Sequence, residues 1–352
     1  MARIHQFHPS LAPGDAVSNH VFALRGLFRS LGHESEAYAI EAKKGVEDVL
    51  PYRRLFRAVA SEDLLVLHFS IGNEAFTPLA RIAARKVLIY HNVTPPEFFE
   101  GITPYVALFA ERGVRQLSTL APHVDLAVGV SEFNRQALET AGFKRTAVAP
   151  LLVDWRAYDI PPDPTVVSNW SDAAAKLLFV GRISPNKRQD QLVRMLAYYR
   201  RCIAPDVRLI LVGSHRDQPE YHFRITELAR VLGLSDAVTF TGSVSLAELI
   251  AYYRVASAFV SVSQHEGFGV PLLEAMRFDV PVVAQDTSAI GETMGHAGVL
   301  VKDGDLPIVA EAAALTLENP DLRARLLEGQ RQRFQDFSYD KVAARTREVL
   351  GI

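Results

Sequence analysis

The stretch Gln264-His-Glu-Gly-Phe-Gly-Val-Pro-Leu-Leu-Glu-Ala-Met276 directly follows the apolar run Ala258–Ser263, which is typical of a buried strand. Pro271 suits the first turn of a helix, where its missing N–H group is not needed. We therefore expect a helix to begin near Gly269–Pro271. A strand that leads through a glycine-containing turn into a helix is the repeating unit of α/β folds with parallel sheets. This stretch therefore predicts the fold class.

Similar units recur on both sides of the segment Asp159-Ile-Pro-Pro-Asp-Pro-Thr165, which cannot continue a helix or a central strand and is interpreted as an interdomain linker. The strands predicted before it are Arg3–Phe7, Ser35–Ala39, Leu64–His68, Lys86–Tyr90, Leu126–Val130 and Thr146–Ala149. The strands predicted after it are Lys176–Val180, Val207–Val212, Val238–Thr241, Ala258–Ser263, Val280–Ala284 and Val299–Val301. Helices are predicted at Val17–Leu31, Glu132–Ala141, Ser245–Tyr253 and Tyr339–Leu350.

The pattern predicts two tandem, doubly wound, Rossmann-like α/β domains. A chain of 352 residues is long enough for two domains of roughly 150 residues each. Open parallel sheets bind ligands at the carboxyl ends of their strands. We therefore expect an interdomain cleft where two such domains face each other, with the chemistry in loops that directly follow strands.

Composition and charge exclude several classes of protein. The formal net charge is -2, so no basic field indicates a nucleic-acid partner. No apolar run approaches the roughly 18 residues that span a bilayer, and the first residues lack the apolar core of a signal peptide. The single cysteine, Cys202, excludes an internal disulfide and is predicted to be an inert, packed thiol. We therefore expect a cytoplasmic location.

The loop after Ala258–Ser263 has the features of a diphosphate site. A helix start offers backbone N–H groups to an anion, and glycines let a ligand approach the backbone closely. The residues expected to contribute these groups are Gly267, Phe268, Gly269 and Val270. Glu274, about one turn into the helix, is predicted to accept two hydrogen bonds from a ribose diol, and Glu266 to face the transferred sugar. An isolated glutamate here would be an ordinary helix-start acid favoured by the dipole, but the whole string favours a donor site.

A second loop, Gly181-Arg-Ile-Ser-Pro-Asn-Lys-Arg188, follows the predicted strand Lys176–Val180. Arg182 and Lys187 lie at the mouth of the same sheet, where two cations can neutralise a leaving diphosphate without a metal ion. Positive charges at the start of a helix interact unfavourably with its dipole. This favours the interpretation that they pair with a bound anion over the interpretation that they are solvated surface charges. Arg188 is the less certain neighbour of this pair.

Two further segments are predicted to contact the nucleotide base. Gly242–Val244 follows the strand Val238–Thr241, and His215–Glu220 follows the strand Val207–Val212. Val244 is included among the predicted donor-binding residues. Backbone hydrogen bonds can set base selectivity at such places, so the sequence does not identify the base.

The first half of the chain carries weaker signals. Gly14 follows the first strand, and its backbone could approach the diphosphate, although a glycine in such a turn is common. His91 follows the strand Lys86–Tyr90, where it could hydrogen-bond a sugar hydroxyl or polarise the reacting centre; a lone histidine could equally be structural. Asp15, His68 and Asn92 complete the predicted site on the acceptor side.

These motifs resemble those of the GT-B glycosyltransferases, and in particular the retaining enzymes of glycosyltransferase family 4. The matching residues are Glu266 and Glu274 for the family's E-x7-E element, Arg182 and Lys187 for its basic pair, and Gly14 and His91 for the glycine loop and histidine of its first domain. The resemblance extends over nearly the whole chain, and its C-terminal motifs are the most specific.

The resemblance implies transfer of a hexose from a nucleotide-diphosphate sugar, with retention at the anomeric carbon. It implies attack on the front face of the donor, with the leaving phosphate helping to deprotonate the acceptor. The sequence around His91 and Gly14 is most similar to the sequences of bacterial enzymes that synthesise surface polysaccharides or glycoconjugates. This similarity indicates GDP-mannose or a UDP-hexose as the donor, and a glycan, a glycolipid or a small molecule as the acceptor.

No metal or other cofactor is expected. The diphosphate loops carry cations rather than the paired aspartates that hold a divalent ion. The remaining N-terminal histidines, which show no metal-ligand spacing, are His5, His8, His20 and His33. The resemblance also divides the chain into an acceptor-side domain, residues 1–155, and a nucleotide-sugar domain, residues 156–337. It implies that a last helix, residues 338–352, returns to the first domain.

Two alternatives share the same motifs. A GT-B-like sugar-nucleotide epimerase or hydrolase would have the same diphosphate site and need no acceptor. A non-catalytic nucleotide-sugar-binding subunit would keep the fold, but Glu266, Arg182 and Lys187 argue against it. The segment Tyr52–Arg57 is basic and apolar in turn, which is compatible with peripheral contact with the inner face of the membrane; a solvated helix face is the favoured interpretation.

Overall fold

A computed structural model of the chain describes residues 3–302 and 304–352. The chain divides into two compact units. The first consists of the residues up to Glu97, Pro104–Trp155 and Phe337–Ile352. The second consists of Phe98–Thr103 and Arg156–Asp336.

The first unit alternates strands and helices along the chain. Its strands are β1 (Ile4–Phe7), β2 (Ser10–Leu11), β3 (Ser35–Ala39), β4 (Glu41–Ala42), β5 (Val49–Pro51), β6 (Leu64–Phe69), β7 (Arg85–Tyr90), β8 (Leu126–Gly129) and β9 (Thr146–Val148). Its helices before the second unit begins are α1 (Ala16–Ser30), α2 (Leu55–Ala58), α3 (Phe76–Leu79), α4 (Pro104–Leu120) and α5 (Glu132–Thr140).

Seven of these strands form one sheet within the described residues, in the order β5-β3-β1-β6-β7-β8-β9. Each neighbouring pair is parallel, so the loops that follow the strands meet at one edge. The two-residue strands β2 and β4 form a separate parallel pair. The strands β1 and β6 are buried along their whole length, as expected for the centre of a doubly wound sheet.

The second unit repeats this alternation. Its strands are β10 (Ala175–Val180), β11 (Val207–Val212), β12 (Val238–Gly242), β13 (Ala258–Ser261), β14 (Val282–Gln285) and β15 (Val299–Val301). Its helices are α6 (Pro164–Asn169), α7 (Gln189–Cys202), α8 (Pro219–Val231), α9 (Leu246–Val255), α10 (Val270–Arg277), α11 (Ile290–Met294), α12 (Leu306–Glu318) and α13 (Pro320–Phe334).

The sheet of the second unit has the order β12-β11-β10-β13-β14-β15, and all its neighbours are parallel. Alternate residues of β10, β11 and β13 pack with α7, α8 and α12 in one apolar cluster. Strand side chains alternate between the two faces of a sheet, which explains why every second residue joins this cluster. None of the helices among the described residues is long and apolar enough to cross a lipid bilayer.

The last helix, α14 (Tyr339–Leu350), belongs to the first unit. Trp155 donates its indole N–H to the carbonyl of Phe337 at 2.9 Å, at the point where the chain re-enters this unit. Arg85 donates to the carbonyl of Leu350 at 2.6 Å, which ties the end of the helix to β7. By contrast, Phe98–Thr103 groups with the second unit, where Thr103 donates to Gln218 at 2.6 Å. The predicted first domain included this short segment.

The α/β prediction is confirmed, and most strand boundaries differ by one or two residues. The predicted strand at Val280–Ala284 begins at Val282, and the one at Ala258–Ser263 ends at Ser261. The prediction for Cys202 is wrong, because this thiol is exposed on the last turn of α7.

Asp63, just before β6, ties the first strand of the unit to this central strand. Its carboxylate accepts from the backbone N–H of Arg3 at 3.0 Å, from the Arg3 guanidinium at 2.9 Å and from the N–H of Ala60 at 2.8 Å. Burial by itself raises the pKa of Asp63, but these hydrogen bonds outweigh it and lower the pKa to about 2. The ionised form therefore stabilises the fold.

We expect Asp63→Asn to lower the free energy of unfolding by about 2 kcal/mol near neutral pH, because it weakens hydrogen bonds to a charged acceptor. Since the folded pKa lies below the unfolded value of about 4, this difference should be constant above pH 4. It should shrink as the pH falls towards 2. Urea unfolding at several pH values measures it, with the exposed neighbour substitution Glu62→Gln as the control. Equal stability of Asp63→Asn and the native chain at pH 7 would contradict this account.

Candidate active site

The loop between β13 and α10 is shaped by one glycine. Gly269 has φ +96° and immediately precedes α10. A Cβ atom there would lie 2.8 Å from Leu272 Cδ1, so both the backbone conformation and the space require glycine. Pro271 lies in the first turn, as predicted. The first amides of α10 begin at this turn, which is the arrangement expected of an anion site.

Hydroxyl groups hold this loop in place. The N–H of Glu266 donates to Ser288 Oγ at 2.8 Å, and Thr293 donates to the carbonyl of Phe268 at 2.6 Å. Ser288 has φ +50°, an unusual conformation for a residue other than glycine. The sequence analysis missed Ser288 and Thr293, and the only signal for them was their place after the neighbouring strand β14.

The loops after β10 and β13 are bonded to each other. The N–H of Gln264 donates to the carbonyl of Asn186 at 2.9 Å, and Asn186 Nδ2 donates to the carbonyl of His265 at 3.0 Å. Arg188 donates to the side chain of Gln264 at 2.8 Å. Because β10 and β13 are adjacent and parallel, their loops leave the sheet side by side. This pairing brings the predicted acidic and basic residues together.

Lys187 and Glu266 form an ion pair, with 2.5 Å between Lys187 Nζ and Glu266 Oε1. Each side chain keeps about a fifth of its surface exposed, at 19% and 18%. An ammonium group has three donors, so Lys187 can hold Glu266 and still donate to a phosphate oxygen. The prediction gave these residues to different parts of the donor, and the structure places their charged ends in direct contact.

Arg182 lies on the same loop but is exposed. Its backbone is fixed, since Gln189 donates to its carbonyl at 2.9 Å and the N–H of Ile183 donates to the carbonyl of Ser214 at 2.9 Å. Within residues 3–302 and 304–352, no ion pair engages its guanidinium. Arg182 therefore offers an unpaired guanidinium on the same loop as Lys187. Arg188, in contrast, donates to Gln264.

Glu274 is almost fully buried, and both carboxylate oxygens have partners. Tyr158 donates to Oε1 at 2.6 Å, and Tyr253 donates to Oε2 at 2.7 Å. Burial raises the pKa of Glu274, while the two tyrosine hydrogen bonds partly offset this effect. The predicted ribose contact would have to use the remaining lone pairs of the same oxygens. The sequence analysis missed both tyrosines.

The segments predicted to contact the base lie next to each other. The N–H of Gly213 donates to the carbonyl of Gly242 at 3.0 Å, and the His215 ring lies beside Gly242. A Cβ atom on Gly213 would overlap the carbonyl oxygen of Gly181, so three strand-end loops meet here through backbone atoms. Val244 is partly exposed just before α9. The His215 ring also stacks on His222, with 4.1 Å between ring centres.

In the first unit, the predicted turn residues have structural roles. Gly14 has φ +73°, which explains the glycine without reference to a ligand. Asp15 caps α1, accepting from the N–H and the hydroxyl of Ser18 at 2.9 Å each. Asn92, with φ +83°, donates to the buried Asn134 at 2.7 Å. These contacts account for Asp15 and Asn92 locally, and their acceptor-side role stays a prediction.

His68 and His91 lie at the carboxyl ends of β6 and β7, with 3.0 Å between His68 Nδ1 and His91 Nε2. His68 is fully buried, and its other ring nitrogen lies 3.1 Å from Gln6 Oε1. Both ring nitrogens of His68 therefore have partners within the first unit, and its acceptor-side role stays a prediction. His20 of α1 packs against both rings, so that three ring nitrogens lie within 4.8 Å of one another. The sequence spacing gave no sign of this cluster.

The segment Tyr52–Arg57 does not form an apolar surface. It is a single 3-10 turn followed by the four-residue helix α2. Leu55 is fully buried, and Phe56 is the exposed apolar side chain, at 46%. Peripheral contact of this segment with a membrane stays a prediction.

The fold of the chain is matched in solved structures. The Anabaena protein HepE, solved in complex with UDP and glucose, is 20% identical, covers 100% of this chain and of its own, and has a TM-score of 0.78. WaaG, described as a glycosyltransferase involved in lipopolysaccharide biosynthesis, is 13% identical and covers 99% of this chain and 100% of its own, with a TM-score of 0.73. These likenesses show the fold, which is GT-B, as predicted.

Residues 166–333 match the model of the family Glycosyl transferases group 1. D-inositol 3-phosphate glycosyltransferase of Salinispora arenicola is 32% identical over 182 residues, which cover 49% of this chain and 40% of the relative. D-inositol 3-phosphate glycosyltransferase 2 of Catenulispora acidiphila is 32% identical over 248 residues, covering 67% and 50%. These matches span half or less of the relatives' own length. The second unit therefore carries a glycosyl transferases group 1 domain.

We expect Glu274→Gln to raise the melting temperature more at pH 7 than at pH 4.5. The raised pKa means that folding penalises the ionised carboxylate above the folded pKa, and that this penalty vanishes below the unfolded pKa of about 4.3. The amide removes the charge and can still hydrogen-bond both tyrosines. Each kcal/mol relieved corresponds to about 2–4 °C.

Thermal unfolding at the two pH values measures this difference. Glu318→Gln, at the exposed end of α12, is the matched control and should show no such pH dependence. A shift that is equal at both pH values, or larger at pH 4.5, would show that burial does not control this carboxyl.

Proposed function

We propose that this chain is a retaining, metal-independent glycosyltransferase that moves a hexose from a nucleotide-diphosphate sugar. The observation that carries this proposal is the Lys187–Glu266 pair, which joins the loop after β10 to the loop that leads into α10, with the cation of Arg182 on the first of these loops. Relatives named as glycosyltransferases, and a similar structure with bound UDP and glucose, support it.

The diphosphate would bind at the amides that begin α10, with Lys187 and Arg182 neutralising its charge. Charge develops on this group as the bond between the anomeric carbon and the phosphate oxygen breaks. Fixed cations aimed at developing charge stabilise a transition state without reorganising. Because Glu266 holds Lys187 at 2.5 Å, the ammonium position is set before the donor arrives. The chemistry then needs no divalent ion to accept the leaving charge.

Glu266 is assigned to a hydroxyl of the transferred sugar, and Glu274 to the donor ribose. The acceptor hydroxyl would attack on the face from which the diphosphate leaves. Its oxygen forms the new bond to the anomeric carbon, and its proton passes to the departing phosphate oxygen. On the first unit we assign His91 to a sugar hydroxyl.

The choice of donor and acceptor in this proposal rests on similarity to other proteins alone. GDP-mannose or a UDP-hexose is the proposed donor, and UDP-glucose deserves the first trial, since a similar structure contains it. A glycan, a glycolipid or a small molecule is the proposed acceptor, in bacterial surface polysaccharide or glycoconjugate synthesis. The name of the relatives makes D-inositol 3-phosphate the first acceptor to test.

We expect Lys187→Ala and Arg182→Ala each to lower kcat by on the order of 100-fold, as removal of one charge-stabilising donor does in other enzymes. Nucleotide release from the donor, followed together with formation of the glycosylated acceptor, measures this rate. Arg230→Ala, on the exposed face of α8 where Arg230 pairs with Glu227, is the control and should keep full activity. Native rates in both loop variants would refute the assigned roles.

A thermal-shift comparison of UDP-, GDP-, ADP- and dTDP-sugars should reveal one preferred donor, because a ligand that binds only the folded chain stabilises it by mass action. With that donor and an acceptor, NMR should show retained anomeric configuration, and EDTA should not reduce the rate. Rapid epimer formation, or complete hydrolysis without acceptor, would instead favour the epimerase or hydrolase alternative.

A further inference from the structure

Four residues of the first unit form a continuous chain of hydrogen-bonding contacts that ends at His91. Gln6 Nε2 donates to the carbonyl of Val21 on α1 at 3.1 Å. Gln6 Oε1 lies 3.1 Å from His68 Nε2, and His68 Nδ1 lies 3.0 Å from His91 Nε2. Gln6 and His68 are both fully buried. Water therefore cannot substitute for Gln6 or His68.

The chemistry of each contact fixes where the protons are. A backbone carbonyl only accepts, so the nitrogen of the Gln6 amide must face Val21 and its oxygen must face His68. His68 Nε2 must then carry a proton. A neutral imidazole has one N–H, so His68 Nδ1 is an acceptor, and the proton in its contact with His91 belongs to His91 Nε2.

Both imidazoles are neutral near physiological pH. Burial lowers the pKa of His68 and of His91 well below the ordinary value, and the neighbouring histidines lower them further. His91 therefore has one proton, on Nε2, and a bare lone pair on Nδ1. His91 Nδ1 is buried and has no hydrogen-bond partner among the described residues. An unsatisfied buried acceptor is unfavourable, and a donor from a ligand would relieve it.

We propose that Gln6 and His68 are positioning residues that lock His91 in its Nε2–H form, so that its Nδ1 accepts a hydrogen bond from a substrate hydroxyl. This proposal rests on the proposed function, in which His91 meets the sugar. A locked acceptor discriminates: it binds a group that can donate, such as a hydroxyl, and repels an ionised carboxylate at the same place. The polarity of the chain, set at the backbone of Val21, therefore selects hydroxyl-bearing substrates over acidic ones.

The same three rings fit a metal ion less well. His20, His68 and His91 offer nitrogens within 4.8 Å of one another. A metal-bound histidine normally donates its other N–H to a fixed acceptor. Binding through His91 Nε2 would break its contact with His68 and leave a proton on Nδ1, which has no acceptor among the described residues. The hydrogen-bonded chain of Gln6, His68 and His91, by contrast, requires no change in the observed contacts.

The tautomer is directly measurable by NMR of the full chain labelled with ¹⁵N in histidine, because protonated and bare ring nitrogens resonate in separate ranges. Signals of His91 are assigned by their loss in His91→Gln. We expect a protonated Nε2 and a bare Nδ1 in the native chain. In Gln6→Met, which removes the amide oxygen, we expect His91 to populate both forms. This readout does not depend on activity, so it can fail or succeed separately from the proposed function.

Activity supplies the second readout. Gln6→Met should lower kcat on the order of tenfold and leave binding of the nucleoside diphosphate unchanged, while Gln136→Met, exposed on α5, changes neither. In Gln6→Glu, a carboxylate would favour protonation of His68, against the opposing effects of burial and of the neighbouring His20 and His8. Protonated His68 donates from both nitrogens and reverses the chain. The rate of this variant should therefore fall as the pH is lowered, where the native rate does not.

Three results would overturn the proposal. One is a protonated Nδ1 on His91 in the native chain. Another is an unchanged tautomer and unchanged kcat in Gln6→Met. The third is stoichiometric Zn²⁺ binding that shifts the ring signals of His20, His68 and His91 together, which would establish a metal site instead.

Discussion

The candidate site depends on the parallel pairing of β10 with β13. This pairing makes two loops leave the sheet side by side, and hydrogen bonds between Asn186, Gln264 and His265 then join them. The contact between Lys187 and Glu266 is a consequence of this arrangement. If the two strands were separated by another strand, as β10 and β14 are, the lysine and the glutamate would lie too far apart to pair. The charges of the site are therefore set by the strand order.

The site also shows two different ways of holding a carboxylate. Glu266 is partly exposed and paired with a cation, so it stays in contact with solvent and with any ligand. Glu274 is buried between the hydroxyls of Tyr158 and Tyr253, and no cation pairs with it among the described residues. Eight positions apart, the two acids of one motif thus meet different environments: one is partly exposed beside an ammonium group, and the other is buried between two hydroxyls. Their separate predicted roles are consistent with this difference.

Local patterns predicted the elements well. The strands at Ser35–Ala39, Val207–Val212 and Val299–Val301 and the last helix agree residue for residue, because apolar runs and capping signals are local properties. The two-residue strands β2 and β4 were missed, since two residues carry no periodicity. The partners of the site residues were missed for another reason. Tyr158 lies 116 positions from Glu274, and His68 lies 62 positions from Gln6, so only the folded chain brings them together.

Three strand-end loops meet at Gly213, where positioning of the loops and the predicted recognition of the base involve different groups. Backbone atoms of Gly181, Gly213 and Gly242 meet here, and the Thr241 hydroxyl donates to the same Gly242 carbonyl that accepts from the N–H of Gly213. His215 and Val244 lie beside this contact, and their part in recognising a base stays a prediction. Under the proposed function, substitutions at these two side chains would change the choice of base while the backbone contact between the glycines stays in place.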